Sequence, residues 1–332
     1  MKLLVTGGCG FIGSNFIRHI LKKYPDYEIT NLDALTYSGN PENHRDIKKD
    51  KRYGFVHGRI DDIDLVKDVL NKVDYVINFA AETHVDRSIH DAQPFILTNI
   101  LGTHVMLEAL RTASVKKFIH ISTDEVYGTL GNEGKFSEET PLRPNSPYSA
   151  SKAAGDLLVR AYHETYGLPA IIVRPSNNYG YYQFPEKFIP LMITSLLTDK
   201  PIPVYGKGEN IRDWLFVEDT CEAIDRIMHD GRVGEIYNIG GNSEIRNIEL
   251  ARKVLDIVGK SEKYIKFVKD RPGHDYRYAL DNSKIERELK WRPSVRIDEG
   301  LEKTVRWYKD NEWWWKPLKE RLSAESKGFW EK

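Results

Sequence analysis

Residues 2–13 of this 332-residue chain read KLLVTGGCGFIG, an apolar run that ends among glycines. The run Lys2–Thr6 predicts a buried strand, and the apolar spacing of Phe11–Lys23 predicts a helix. Glycines at such a junction allow a tight turn and let the backbone approach a pyrophosphate at the helix N-terminus. The stretch therefore predicts a dinucleotide-binding turn, with expected contact residues Gly7, Gly10, Phe11, Ile12 and Gly13.

An acidic residue follows this turn at the separation that a dinucleotide site requires. Asp33 comes directly after the next apolar run, Tyr27–Leu32, about 20 residues beyond the glycines. Its carboxylate would accept hydrogen bonds from the adenosine ribose and repel a 2′-phosphate. This arrangement favours NAD over NADP as the cofactor.

The first half of the chain alternates short apolar runs with longer amphipathic stretches, which predicts a parallel sheet covered by helices on both faces. The predicted strands are Lys2–Thr6, Tyr27–Leu32, Tyr53–His57, Tyr75–Phe79, Lys117–Ile121 and Ala170–Val173, and the predicted helices are Phe11–Lys23, Asp64–Asn71, Ala92–Thr112 and Pro147–Tyr166. Beyond Arg174 we predict helices at Lys187–Leu197 and Asn247–Val258 and a strand at Gly234–Ile239. The expected fold is α/β, a Rossmann-type doubly wound parallel sheet. Its NAD-binding domain would span residues 1–174, with chain returning near 215–240, and a smaller substrate lobe would occupy mainly 175–332.

Composition excludes several classes of protein. The 49 basic and 49 acidic residues balance, so no global field attracts nucleic acid or an anionic membrane. No apolar run approaches the roughly 18 residues of a membrane span. Two cysteines, Cys9 and Cys221, cannot by themselves form a disulfide framework or a four-ligand zinc site, and we expect no metal. A cytoplasmic location is the expectation.

Tyr148 and Lys152 lie four residues apart, on one face of the predicted helix Pro147–Tyr166. Beside a nicotinamide, the lysine ammonium could hold the ribose and lower the pKa of the phenol, so that Tyr148 acts as a general base. Ser122 and Thr123 come directly after the predicted strand Lys117–Ile121, at the sheet edge where ligands bind. The sequence thus places a candidate catalytic set beside the candidate dinucleotide site.

These features together are similar to those of the extended short-chain dehydrogenase/reductase superfamily. Within it the chain closely resembles the dTDP-glucose 4,6-dehydratases of deoxysugar biosynthesis, nearly from end to end. The matching segments are residues 35–40 (LTYSGN), 80–88 (AAETHVDRS), 122–128 (STDEVYG), 176–180 (SNNYG), 212–214 (RDW) and 270–275 (DRPGHD).

The resemblance implies a catalytic role for each member of the set. Tyr148 would take the proton of the sugar 4-hydroxyl, to which Thr123 hydrogen-bonds, while the C4 hydride passes to NAD. Glu125 would then remove the C5 proton, and protonated Asp124 would protonate the departing 6-hydroxyl before the hydride returns to C6. Burial and the proximity of two carboxyls can split their protonation in this way. The implied catalytic residues are Thr123, Asp124, Glu125, Tyr148 and Lys152.

The resemblance also implies the binding residues of both ligands. The cofactor would further contact Ala34, Leu35, Thr36, Ile60, Ala80, Ala81, Thr83, Thr98, Tyr148, Lys152 and Asn178. A nucleotide diphosphate sugar would contact Thr83, Thr123, Asn177, Lys187, Phe188, Pro203, Val204, Tyr205, Asn247 and His274. Arg212 and Arg271 are the expected diphosphate ligands, because a guanidinium binds phosphate bidentately.

Three segments deserve separate expectations. Arg59 stands where the family usually has an aspartate facing the adenine, so Asp61 or Asp62 would have to substitute. Tyr181 stands where the family commonly has proline, above the expected nicotinamide position. The run 313–315 (WWW) is too apolar for a free tail, and we expect it to pack against the body of the protein.

Alternative functions remain open from the sequence. A UDP-glucose 4,6-dehydratase is open because no feature separates thymine from uracil, whereas the Asp124-Glu125 pair argues against a nucleotide-sugar 4-epimerase. Asp33 disfavours an NADP-preferring GDP-mannose dehydratase, and the retained Tyr148 and Lys152 disfavour a non-catalytic dinucleotide sensor. The helices Ala92–Thr112 and Pro147–Tyr166 are expected to form a homodimer interface, as such a pair does in the family.

Overall fold

The computed structural model describes residues 1–325. Its strands are β1 (Lys2–Thr6), β2 (Glu28–Asp33), β3 (Tyr53–His57), β4 (Tyr75–Asn78), β5 (Lys117–Ile121), β6 (Ala170–Pro175), β7 (Asn177–Tyr179), β8 (Ile202–Tyr205), β9 (Ile211–Phe216), β10 (Ile236–Ile239), β11 (Glu244–Arg246) and β12 (Ile265–Val268). Its α-helices are α1 (Phe11–Lys23), α2 (Ile63–Leu70), α3 (Val85–His90), α4 (Gln93–Phe95), α5 (Thr103–Leu110), α6 (Pro147–Tyr166), α7 (Phe188–Leu197), α8 (Val217–Asp230), α9 (Asn247–Val258), α10 (Ser283–Leu289), α11 (Ile297–Asp310) and α12 (Glu312–Glu325). A π-helical segment, Ile96–Gly102, joins α4 to α5, and 3-10 helices lie at Pro41–His44, Asp124–Tyr127 and Glu262–Tyr264.

Seven strands form one parallel sheet in the order β10-β6-β5-β4-β1-β2-β3. The strand order reverses at β1, since β2 and β4 pair with its two sides. Helices cover both faces of the sheet, and all six residues of β6 are buried accordingly. This is the predicted α/β, Rossmann-type fold, and the position beside β1 is where such sheets bind ligands.

The chain returns to this sheet after a long excursion. Helix α8 packs on α1, and their apolar side chains share one core, which includes Phe16, Ile20, Ile224 and Ile227. Strand β10 then extends the sheet beside β6. The segment 217–239 thus joins the N-terminal half, while the proposed division into domains at residue 174 stays a prediction.

A second core lies in the C-terminal half, around two smaller sheets of order β11-β9-β7 and β12-β8. Trp314 and Trp315 are buried in it, whereas Trp313 is half exposed and stacks on the Arg45 guanidinium. The expectation that these tryptophans pack against the body of the protein is confirmed for the two buried rings. Among residues 1–325, no helix has the length and apolar character that crossing a membrane needs.

Candidate functional site

A cleft of about 280 Å³ opens at the carboxyl edge of the seven-stranded sheet. The segments that follow six successive strands of the sheet line it, because parallel strands all end at one edge. These lining residues include Gly7–Gly13 in part, Asp33–Gly39 in part, Gly58–Asp61, Phe79–Thr83, Ile121–Glu125 and Pro175–Asn178. Leu32, Thr98, Tyr148, Lys152, Gln183, Phe184, Glu186 and Lys187 complete the lining.

The glycine loop can be built only from glycine at several of its positions. Gly7 has φ of +68°, and a Cβ there would lie 2.6 Å from the backbone N of Ala80. A Cβ on Gly13 would lie 2.6 Å from the carbonyl oxygen of Gly7. The loop therefore keeps its backbone close to the strand-end segment of β4 and to the N-terminus of α1. Since the first N–H groups of a helix have no partner within it, they are available to a pyrophosphate.

Asp33 ends β2 with its carboxylate held by the two loops that flank it. One carboxylate oxygen accepts from the N–H of Cys9 at 2.8 Å, and the other accepts from the N–H of Leu35 at 2.8 Å. Burial raises the pKa of Asp33, while these two backbone donors and His57 lower it. The glycine loop and the carboxylate of Asp33, which is expected to bind the ribose, are thus held in a fixed position relative to each other. This arrangement fits a bound dinucleotide.

Arg59, which stands where the family usually has an aspartate, forms an ion pair with a neighbouring acid. The guanidinium of Arg59 pairs with the carboxylate of Asp61, with Nε 2.9 Å from Oδ1 and Nη2 2.9 Å from Oδ2. Both residues line the cleft beside Ile60. Asp62 instead caps α2 by accepting from the N–H of Leu65. Of the two acids proposed to substitute at this position, the structure places only Asp61 in the cleft.

The Asp124-Glu125 pair lies on a 3-10 helix directly after β5. Thr123 caps this helix, and its hydroxyl donates to Asp124 at 3.2 Å and accepts from the N–H of Glu125 at 3.3 Å. Burial raises the pKa of Asp124 well above its usual range, and Glu125 and Asp213 raise it further. Burial also raises the pKa of Glu125, but three cations lower it: Arg271, Arg212 and Lys187. Of the two carboxyls, Asp124 therefore holds its proton more firmly.

Tyr148 and Lys152 lie in the first two turns of α6, both buried. The expected lowering of the Tyr148 pKa is not found. Burial raises this pKa, and the carboxyls of Glu125 and Asp124 raise it further. The ammonium of Lys152 donates to the carbonyl of Ile121 at 2.7 Å, and burial lowers its pKa to about 8. The phenol thus lies near the two carboxyls, and positive charge brought to it would favour its ionisation.

Cations from the C-terminal half of the chain act on the carboxyl pair. Arg212 is buried on β9, where it donates to the carbonyl of Asp275 at 2.9 Å and covers the ring of Tyr278 at 4.2 Å. Lys187 donates to the carbonyl of Thr83 at 2.8 Å, and burial lowers its pKa. These two cations and Arg271 all lower the pKa of Glu125. Charges from distant parts of the chain therefore act together on Glu125, which lines the cleft.

Arg271, Tyr205 and His274 form a cluster with an acid that the sequence reading had not assigned. Asp86 accepts from the Tyr205 hydroxyl at 3.3 Å, and its other oxygen lies 3.5 Å from the guanidinium of Arg271. The ring of His274 meets that of Tyr205 edge-on at 5.8 Å and its Nδ1 lies 2.6 Å from Asp270. Burial, helped by Arg271, lowers the pKa of His274 to about 4, so the imidazole is neutral at neutral pH.

Several buried polar atoms in this region have no hydrogen-bond partner among the described residues. They include the Oδ2 atom of Asp124, the Oδ1 atoms of Asn177 and Asn247, and the Nε atom of Arg271. Buried polar groups are normally paired, so the unpaired atoms of Asp124 and Asn177, which line the cleft, are available to a polar ligand.

Several of the residues implied for binding do not line the cleft itself. Leu35, Phe188, Pro203, Val204, Tyr205, Arg212, Asn247, Arg271 and His274 are outside its lining. The side chain of Val204 is fully buried in the second core, so only its backbone is available to a ligand. The ring of Tyr181 packs edge-on against Phe216 at 5.5 Å, on the side of the second core. The ring of Tyr181 therefore packs against the second core.

The structure also adds residues to the cleft that sequence reasoning missed. They include Ser176, Glu82, Gln183 and Glu186. Glu186 pairs with Arg87 at 3.2 Å, and Glu82 is tied through its backbone to Asn99. The sequence offered a hint for two of them, since Glu82 lies inside a segment that matches the family and Glu186 directly precedes Lys187. An acidic residue beside an assigned residue is common, however, and its position alone does not indicate a functional role.

The fold and the cleft define a class of protein. A parallel sheet with a glycine turn, a strand-end acid and a buried tyrosine–lysine pair is the arrangement of a dinucleotide-dependent enzyme of the extended short-chain dehydrogenase/reductase type. A family model described as "GDP-mannose 4,6 dehydratase" matches residues 4–304. The curated dTDP-glucose 4,6-dehydratase of Streptomyces niveus is 50% identical over 323 residues, with 96% of each chain covered.

Solved structures agree. The dTDP-glucose 4,6-dehydratase of Streptomyces venezuelae, solved with NAD bound, is 51% identical and has a TM-score of 0.94, with 96% of this chain and 100% of that chain covered. The UDP-glucuronic acid 4-epimerase of Bacillus cereus is 31% identical and has a TM-score of 0.88, with 93% and 99% covered. The chain therefore belongs to the NAD-dependent nucleotide-sugar dehydratases, and within them to the dTDP-glucose 4,6-dehydratase family. The resemblance drawn from the sequence and the predicted fold class are confirmed.

Proposed function

We propose that the protein converts dTDP-glucose to dTDP-4-keto-6-deoxyglucose and water, with NAD regenerated in each turnover. The observation that carries this proposal is the Asp124-Glu125 pair in the cleft, beside Tyr148. A simple alcohol oxidation needs no such pair, whereas elimination of water needs one group that donates a proton and one that removes a proton.

The glycine loop and Asp33 hold the cofactor in this proposal. The observations that support it are the cradle that a Cβ would fill at Gly7 and Gly13, and the strand-end carboxylate tied to the same loop. Bound NAD supplies a hydride acceptor and a positively charged ring. The remaining chemistry belongs to side chains of the chain.

In the first step, Tyr148 accepts the proton of the 4-hydroxyl as the C4–H bond breaks. The phenol holds its proton tightly beside two carboxyls, so positive charge must offset them before it can act as a base. Lys152, one turn further along α6, is the buried cation of the same helix face. Thr123, which already hydrogen-bonds the pair, orients the substrate oxygen.

In the second step, the two carboxyls divide the elimination. The 4-ketone acidifies the C5 proton, and Glu125 removes it because its flanking cations keep it the more easily ionised carboxyl. Asp124 carries the proton and gives it to the departing 6-hydroxyl. Hydride return to C6 and protonation at C5 then complete the 6-deoxy sugar.

The diphosphate is held in this proposal by Arg212 and Arg271. Two guanidinium groups that face a pair of acids in the ligand-binding region offer bidentate donors to an anion. The unpaired Nε atom of Arg271 leaves one donor free for that purpose. Tyr205 and the neutral ring of His274 flank Arg271 and would contact the nucleotide.

One assay tests the substrate. The protein is incubated with dTDP-glucose, UDP-glucose and GDP-mannose in turn, and the alkali-induced absorbance of a 4-keto-6-deoxy product is followed. We expect product from dTDP-glucose at the highest rate. Faster turnover of UDP-glucose would show that the substrate carries uracil rather than thymine. Absence of product from all three substrates would overturn the dehydratase proposal. Interconversion of the sugar at C4 without water loss would favour the 4-epimerase.

We also propose that the protein is a cytoplasmic homodimer. Large apolar side chains are exposed along one pair of helical segments: Ile96, Leu97 and Leu101 on the π-helical segment, and Leu157 on α6. A second copy that covers this face would bury them. Sedimentation should show a dimer at micromolar concentration, and replacing Leu101 and Leu157 with glutamate should give a monomer. A monomeric wild-type protein would contradict the proposal.

A further inference from the structure

The last helix of the described chain reaches the glycine loop through one intermediate side chain. The indole N–H of Trp314, on α12, donates to the Oδ1 atom of Asn43 at 2.7 Å. The Nδ2 atom of Asn43 donates to the carbonyl oxygen of Cys9 at 2.8 Å. Trp314 and Asn43 are both buried, so water does not compete for these bonds. We call this pair of hydrogen bonds the indole–amide relay.

The chemistry of the groups sets the direction of the relay. An indole N–H can only donate and a carbonyl can only accept, so the Asn43 side chain must present oxygen to Trp314 and nitrogen to Cys9. The backbone of Asn43 is held as well, because Arg18 donates to its carbonyl and its N–H donates to Asn40 at 3.0 Å. The asparagine is therefore fixed on both its side chain and its main chain.

The relay ends on the peptide at the centre of the glycine loop. The Cys9 carbonyl also accepts from the N–H of Asn40 at 3.0 Å, and the N–H of Gly10, in the same peptide, donates to Gly7 at 3.1 Å. The N–H of Cys9 donates to Asp33. Rotation of the Cys9–Gly10 peptide would break the bonds of its carbonyl and of its N–H, and it would displace the start of α1, whose N–H groups are the expected pyrophosphate donors.

We propose that the indole–amide relay positions the glycine loop for the dinucleotide, so that Trp314 and Asn43 slow the release of NAD without touching it. Both are positioning residues, since they act through the Cys9 peptide. The proposal rests on the NAD dependence described above. It assigns to α12, which lies far from the cleft in the sequence, a part in cofactor retention.

Trp315 provides a matched control within the same helix. Its ring is buried in the same core, and its indole N–H donates to the carbonyl of Tyr308 at 2.8 Å. Replacing either tryptophan with phenylalanine removes one indole hydrogen bond and a similar amount of apolar surface. Only Trp314→Phe breaks a connection to the glycine loop.

The test measures release of NAD from the full-length protein. Wild type, Trp314→Phe, Trp315→Phe and Asn43→Asp are saturated with NAD and mixed with excess deuterium-labelled NAD, and the exchange of bound cofactor is followed by native mass spectrometry. Loss of one hydrogen bond should speed release by about fivefold in Trp314→Phe. Asn43→Asp keeps an acceptor for Trp314 but turns an oxygen toward the Cys9 carbonyl, and should speed release by about tenfold or more.

The outcomes separate the relay from general destabilisation. Wild-type release in Trp315→Phe, with faster release in the other two variants, supports the proposal. Equal acceleration in Trp314→Phe and Trp315→Phe, or wild-type release in Asn43→Asp, overturns it. A wild-type protein that binds no NAD overturns the proposed cofactor and the relay together, whereas failure of the relay alone leaves the proposed function intact.

Discussion

The two ends of the cleft are built by different means. At the cofactor end, backbone atoms and short side chains at adjacent strand ends form the site, and Gly7, Gly13 and Asp33 are its main parts. At the other end the lining carries the Asp124-Glu125 pair and Lys187. The guanidinium groups of Arg212 and Arg271, which lie outside the lining, act on Glu125 from the C-terminal half of the chain. A backbone site tolerates little change of shape, whereas a side-chain site depends on charge balance. Substitutions at the two ends should therefore fail in different ways.

The largest effect should come from the carboxyl pair, where the two ends meet. In Glu125→Gln, reduction of NAD by bound substrate should persist, while incorporation of solvent deuterium at C5 should fall on the order of a thousandfold, since a general base contributes that much. The measurement is mass spectrometry of the sugar after reaction in deuterated water. The isosteric Asp124→Asn variant is the control, because it should keep C5 exchange and stop at loss of the 6-hydroxyl. Unimpaired exchange in Glu125→Gln would remove this residue from the mechanism.

A methyl group in the backbone site should act almost as strongly on the cofactor. Gly7→Ala forces a left-handed alanine against the backbone of Ala80, so affinity for NAD should fall on the order of a hundredfold. Equilibrium titration with NAD measures this. Gly131→Ala is matched, since a Cβ there meets no atom within 4 Å. Wild-type affinity in Gly7→Ala would contradict the described path of the loop.

A charge change in the side-chain site should raise KM rather than remove cofactor. In Arg271→Met, loss of the charged donor that we propose for the diphosphate should raise KM for the nucleotide sugar about thirtyfold, with NAD binding unchanged. Steady-state kinetics with the sugar varied gives the result. Lys269→Met, an exposed cation of the same loop, should behave like wild type. Equal KM changes in the two variants would show that Arg271 acts only through net charge.

The smallest effect should be an alkaline limb set by Lys152. Burial lowers the pKa of this lysine to about 8, so its ammonium is present below that pH and is lost as the pH rises through it. The rate of the first hydride transfer should fall about threefold between pH 7.5 and 8.5, as the charged fraction does. Stopped-flow absorbance of reduced cofactor measures it. Lys152→Arg should abolish this limb, because a guanidinium stays charged; persistence of the limb would assign it to another group.

The same contrast explains what the sequence could and could not predict. Strands β1, β3 and β5 and helices α1, α6 and α9 have the predicted bounds, because unbroken apolar periodicity and turn residues mark them. Strand β9 and helix α8 were not predicted. Strand β9 carries buried Arg212 and Asp213, whose charges hide its apolar pattern. The predicted helix Ala92–Thr112 is interrupted by the π-helical segment, which local pattern does not reveal.

The residues of the site also differ in how well the sequence predicts them. Glycine spacing and the position of Asp33 pointed to the cofactor end, because a short stretch of chain carries that chemistry. Asp86, Asn43 and Glu186 were missed because their partners are tens to hundreds of residues away. The raised pKa of Tyr148 likewise depends on which carboxyls lie beside it in three dimensions. Such effects of distant neighbours need coordinates.

The packing of α8 on the apolar face of α1 has a consequence for the synthesis of the chain. Residues 11–23 leave the ribosome about 200 residues before the helix that buries their apolar face. Strand β10, which pairs with β6, emerges later still. A growing chain that has reached the end of β6 therefore exposes apolar surface that it cannot yet cover, so cotranslational binding of a chaperone is expected to matter most within this interval.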